Sequence, residues 1–216
     1  AAFEKLQEEA SKIKAKVLEF LRSADLGIYD VTPNEISADE LPDEIRRMLP
    51  DEAIEGHLVS GISISHRKYE EHYLPAGYTK LSLETDESYG TFRFLALAAP
   101  IIASLETGSI LWIDEIDNGL HYDLVKALIS LFQSKDINIY NAQLIINTHN
   151  ISLIDEADLF RRDQIFIAEK NRYGEASITP ISEYRLRETS KIGKLYREGR
   201  FGGVPYLDKL GRNINK

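Results

Sequence analysis

Apolar residues return every three or four positions through the first 26 residues: Phe3, Leu6, Ala10, Ile13, Val17, Phe20 and Leu21. That spacing places them on one face of an amphipathic helix, and Gly27 supplies its stop. The period is lost over residues 30–56, which are acidic and interrupted by Pro33, Pro42 and Pro50. They predict a connector holding a short helix. Leu58–His66 and Thr79–Leu83 alternate weakly and predict strands, separated by a polar, tyrosine-rich turn region from Tyr69 to Tyr78. The Leu-, Ala- and Phe-rich run from Tyr89 to Leu105 predicts a helix, with Ser88 placed as its N-cap.

Ser109–Ile113 is continuously apolar and ends in Asp114-Glu115, the pattern of a parallel strand buried on both faces. Tyr122–Ser134 predicts a helix, and Gln143–Ile146 a second short buried strand running into Asn147-Thr148-His149. Ile165–Ala168 and Ala176–Thr179 flank the turn Asn171-Arg172-Tyr173-Gly174 and predict a hairpin. From Ser182 the tail is basic and carries Gly199, Gly202, Gly203 and Pro205. Strands alternating with helices through the middle give an α/β fold class. The chain divides into a helix with its acidic connector, residues 1–56, and a core portion, residues 57–216.

Composition narrows the chemistry. Hydrophobic residues at 43% and charged residues at 28% fit a folded globular chain. The absence of cysteine excludes disulfides, thiolate metal sites and cysteine nucleophiles, and fits a cytoplasmic setting. A net charge of -9 gives no indication of a nucleic-acid surface, leaving such binding to another portion or partner. No stretch approaches the roughly 20 apolar residues of a membrane span. The mixed-charge start is not a signal peptide. It begins Ala1-Ala2 without an initiator methionine, as a fragment or a processed chain would.

Three segments carry candidate chemistry. Asp114 and Glu115 end an apolar strand, where nucleotide hydrolysis needs one acid for Mg²⁺ and another to polarise water. Asp114 suits the metal and Glu115 the general base; a strand followed by an acidic turn is the plain alternative. His149 follows the next strand, 35 positions after Asp114, in reach of a γ-phosphate or as an ordinary loop histidine. Glu87-Ser88-Tyr89-Gly90-Thr91 opens a helix whose free N–H groups favour an anion, or simply caps it. His57, His66 and His72, near Glu70 and Glu71, match no zinc spacing and read as surface or strand histidines.

Taken in order, these segments resemble the C-terminal part of an ABC-type P-loop ATPase of the group that includes SMC, RecF and OLD-like proteins. Ser88-Tyr89-Gly90-Thr91 resembles the signature, Ile110–Glu115 the Walker B strand, Asp117-Asn118-Gly119-Leu120-His121 the D-loop, and His149 the switch histidine. A narrower resemblance is to the RloA and abortive-infection type of AAA-family ATPase. It rests on Glu87-Ser88-x-Gly90-Thr91-x-Arg93, on Asp114-Glu115-x-Asp117-x-x-Leu120-His121, and on the tail from Tyr196 to Pro205.

The resemblance implies ATP and Mg²⁺ as ligands. It makes Glu115 and His149 catalytic, Asp114 a metal residue, and Ser88, Gly90, Thr91, Asn118 and Gly119 nucleotide-binding. Asp117 and His121 fall at an ATP-dependent head-to-tail dimer interface. It also implies a role in bacterial defence with an effector such as a nuclease. Arg93 is expected to pair with Glu87, to position the signature, or to be solvated. No Gly-x-x-x-x-Gly-Lys-Ser/Thr occurs, so the phosphate loop is expected in a preceding portion, in cis or on another chain. The competing readings are a RecF- or SMC-like DNA-maintenance ATPase, a transporter ATPase subunit and a non-enzymatic dimerisation module.

Overall fold

The computed structural model describes residues 2–37, 57–156, 159–171, 173–187 and 190–204, with the backbone alone over 2–10, 35–37 and 57–60. The chain forms two compact units, residues 1–146 and 147–216.

The first unit opens with helix α1, Ala2–Ser23. Its described apolar side chains split: Leu21 is fully buried and Phe20 stacks on Phe94 at 5.3 Å, whereas Ile13 stays exposed. Gly27, at φ 69°, turns the chain into strand β1, Ile28–Ser37. That strand corrects the expectation of a connector beginning at residue 30; residues 38–56 of the expected connector lie outside the described residues. Pro33 is tolerated because β1 is an edge strand, where a missing N–H leaves no ladder partner unpaired.

β1 pairs antiparallel with β2, His57–Tyr69, and β2 with β3, Pro75–Ser82, in the order β1-β2-β3. Both strands outrun the weak alternation that predicts them, and the tyrosine-rich turn shrinks to the residues around a 3-10 turn, Glu71–Tyr73. Cross-strand register puts Val31 opposite Ile64 and Ile64 opposite Leu81 on one face. Ile64 is fully buried there, as expected of a sheet packed on one side.

Helix α2, Tyr89–Thr107, buries Thr91, Phe94, Leu97, Ala98, Ile101 and Ser104 at three- and four-residue intervals. Each large apolar side chain so buried contributes roughly 2 kcal/mol. Gly108, left-handed at φ 69°, ends the helix with its N–H bonded to the Ser104 carbonyl.

Strand β4, Ile110–Ile113, then runs parallel to β5, Gln143–Ile146, with helix α3, Tyr122–Gln133, between them in sequence. The expectation that these strands are buried on both faces is corrected. Ile113 is buried, but Ile110 and Trp112 are 64% and 68% exposed, and Ile145 is exposed as well. One face of each strand packs on the helices and the other stands open.

The second unit is built on the antiparallel hairpin of β6, Phe166–Lys170, and β7, Ala176–Pro180. Its core is Ile165, Ile167, Ile181, Ile192 and Phe201, closed by the short helix α4, Ile192–Arg197. Tyr184 meets Phe201 edge-on at 4.8 Å, and the Tyr196 hydroxyl donates to the Gly203 carbonyl at 2.9 Å. Among the described residues no helix is long and apolar enough to cross a membrane.

Candidate functional site

The chain reaches α2 through a turn built by carboxylates. Asp86 accepts from the Ser82 N–H at 2.8 Å, and Glu84 accepts from the Ile62 N–H and the Ser82 hydroxyl, both at 2.9 Å. The Ser82 hydroxyl, with backbone N–H groups, holds the Glu84 carboxyl below its ordinary pKa. Glu87 pairs with His66 of β2 and is 8% exposed. Of the three roles open to Arg93, this sets aside pairing with Glu87, and it gives His66 a specific partner. His66 of β2 takes the Glu87 carboxylate, whereas the Arg93 guanidinium donates to the Asp114 carbonyl.

Ser88 caps α2, its hydroxyl accepting from the Thr91 N–H at 3.0 Å and lying 2.9 Å from the Thr91 hydroxyl. Removing such a cap costs about 1 kcal/mol. Ser88 itself is exposed, while Thr91 is buried. Gly90 needs its missing side chain: a Cβ there would lie 2.5 Å from the Gly119 carbonyl oxygen. Gly119, at φ 74°, faces the Tyr89 ring on its open side. The Ser88–Thr91 turn and the Asp117–His121 loop are therefore in direct contact, with two glycines at the seam.

Asp114 and Glu115 leave the carboxyl end of β4 with both side chains exposed. Glu115 has φ 47°, a left-handed backbone that costs a non-glycine residue about 1 kcal/mol. A tight turn holds it there. The Asn118 N–H donates to the Glu115 carbonyl at 2.9 Å, and the Asn118 amide to the Glu115 carboxylate at 3.3 Å. His121 then caps α3, its Nδ1 accepting from the Asp123 N–H at 3.3 Å. Arg93 reaches across from α2 and donates to the Asp114 carbonyl at 2.7 Å.

Ile113 lies opposite Ile146, so β4 and β5 end level. His149 belongs to the second unit and is exposed. It precedes Asn150, whose N–H donates to the Thr148 hydroxyl at 2.9 Å and whose side chain accepts from the Ser152 N–H at 3.1 Å. That cap opens a 3-10 helix, Ile151–Asp155.

The structure thus gathers Ser88, Gly90, Thr91, Asp114, Glu115, Asp117, Asn118, Gly119 and His121 around one seam of the first unit. His149 stands in the other. Sequence reasoning passed over Tyr89, whose ring packs on Gly119, and the His66–Glu87 pair. The signal for the pair was a carboxylate directly before an N-cap, with a histidine on a preceding strand.

The residues fit Mg²⁺ with a nucleotide. Magnesium is held by one or two carboxylates plus phosphate oxygens and waters rather than by a protein cage. Exposed acids at a strand end supply the former, and among the described residues no group of three or more His, Asp or Glu gathers to form the latter.

The model of the family described as "AAA domain, putative AbiEii toxin, Type IV TA system" matches residues 11–155, well over half of the chain. The chain belongs to this AAA-domain family. Its match spans the Ser88 turn, the β4 acids, the Asp117–His121 loop and His149. Family membership supports an ATPase and implies use of a nucleotide, usually with Mg²⁺. A solved structure described as "Structural biochemistry of ATP-driven dimerization and DNA stimulated activation of SMC ATPases" is similar over 91% of this chain and 96% of its own. The TM-score is 0.52 and the identity 18%, a likeness of fold between that ATPase and this AAA domain. No curated protein matches the chain.

Proposed function

We propose that this AAA domain is the ATP-hydrolysing component of a bacterial defence system of the abortive-infection kind, switched by ATP-dependent head-to-tail dimerisation. The observation that carries this reading is the seam itself. Two exposed acids at the end of β4 stand beside a capped helix start, held by the approach of Gly90 to Gly119.

Mg²⁺, when bound, neutralises charge on the phosphates. Asp114 would hold it, directly or through water. Glu115 accepts a proton from the attacking water. His149 would act on a γ-phosphate. Ser88, Gly90 and Thr91 act on the nucleotide of the opposite subunit, where the Ser88 hydroxyl and the free N–H groups of α2 meet its phosphates. Asp117, Asn118, Gly119 and His121 lie along the subunit interface. ATP binds both subunits and so stabilises the dimer; hydrolysis removes that link.

The exposed faces of Ile110, Trp112 and Ile145 support a further part of the fold covering β4 and β5. A phosphate-loop portion, in cis or on another chain, is the part the nucleotide requires. An effector such as a nuclease would read the dimer. The test is Glu115→Gln in the full-length protein, followed by light scattering with ATP. The variant is expected to accumulate as a dimer with ATP and to return to monomer without it; a variant monomeric in both conditions contradicts the switch.

A further inference from the structure

Arg93 sits one helical turn beyond Gly90 on α2, yet its guanidinium serves the end of β4. Nη2 donates to the main-chain carbonyl of Asp114 at 2.7 Å. Nε is buried and has no hydrogen-bond partner among the described residues. A solvated helix arginine keeps its donors in water and its stem along the surface. Arg93 is half-buried and gives up that hydration at Nε, while its exposed Nη2 makes one directional bond from α2 to the loop after β4.

The other contacts at the seam cannot supply direction. Gly90 against Gly119 and Tyr89 against Gly119 fix how near the loops come. A hydrogen bond also fixes angle. The acceptor is the backbone of Asp114, so the bond sets where that residue stands in its loop.

We propose that Arg93 is a positioning residue that locks the Ser88–Thr91 turn to the carboxyl end of β4, so that both move as one body. The functional side of this inference rests on the nucleotide reading above. In a head-to-tail dimer, Ser88 faces one nucleotide and Asp114 the other. A rigid Arg93 link carries the state of one site to the other within a single subunit. The coupling is physical: one bonded element biased from both ends.

The test uses the full-length protein with Arg93→Met and Arg93→Lys, read by hydrogen exchange and by steady-state ATP turnover. In Arg93→Met, amides of residues 87–92 and 114–119 are expected to exchange together about tenfold faster, while those of the β6–β7 hairpin are unchanged. Turnover should show kcat about tenfold lower with the ATP KM within about threefold. Lysine keeps a donor but loses the planar fork, so Arg93→Lys should fall between wild type and Arg93→Met in both readouts.

Unchanged exchange at the two segments overturns the proposal. So does a uniform rise across the whole first unit in both variants, which marks packing alone. Should Arg93→Met fail to fold, the lysine variant decides by whether its exchange rises at those segments first. A wild-type protein without ATP turnover removes the nucleotide reading, and the exchange pattern still decides the positioning role.

Discussion

The two units use the same residue types to opposite ends. In the second, Gly193 and Gly202 let main chain close onto acids: a Cβ on Gly193 would come within 2.6 Å of both Asp155 and Ile151, and one on Gly202 would strike the Glu169 carboxylate. The Gly193 N–H is then free to donate to the exposed Asp155 carboxylate at 2.7 Å, which ties the buried start of α4 to the 3-10 helix. In the first, Gly90 and Gly119 bring two loops together, and the acids beside them stay exposed. Glycine there brings two segments together beside exposed acids. A glycine-rich pattern gains functional meaning from what its close approach leaves open.

The comparison breaks most readily in the core. Ile181 is fully buried, and Ile181→Ala is expected to cost about 2–5 kcal/mol by thermal melting of the second unit. Hydrogen exchange at residues 87–92 should be unaffected, since Ile181 has no part in the seam. A smaller loss, about 1–3 kcal/mol, is expected of Gly90→Ala, because its neighbour is rigid backbone that cannot rotate away. Unlike Ile181→Ala, it should also lower ATP turnover well below the melting temperature.

The third prediction has the opposite sign. Glu115→Gly relieves the left-handed strain at φ 47° and should raise stability by about 1 kcal/mol while abolishing turnover. An equal or lower melting temperature would show that the Asn118 contacts outweigh the strain. The smallest effect concerns pH. The Glu84 carboxyl has a lowered folded pKa, so its contribution is fully present above the unfolded value and is lost as pH falls through the folded one. Glu84→Gln should melt slightly lower than wild type near neutrality, and the difference should vanish in acid below the ordinary carboxylate range.

Much of this arrangement was legible in the residues. Ser88 as the cap of α2, the parallel strand leading into Asp114 and the β6–β7 hairpin followed from cap chemistry, an apolar run and a turn signal, all of them local. β1 was hidden because Pro33 and an acidic context read as a break, and an edge strand absorbs both. The exposure of Ile110 and Trp112 was hidden because a continuous apolar run cannot say which neighbour covers it. The Gly90–Gly119 contact and the Arg93 bond to Asp114 join residues 29 and 21 positions apart, a distance no local pattern reports.

The most direct measurement is Mg²⁺-dependent ATP hydrolysis by the full-length protein, wild type beside Glu115→Gln. The account predicts turnover by wild type and a loss of at least about 100-fold in the variant, with ATP binding retained. Wild-type turnover in the variant would contradict the assignment of Glu115 as the base, and with it the reading of the seam as a hydrolytic site.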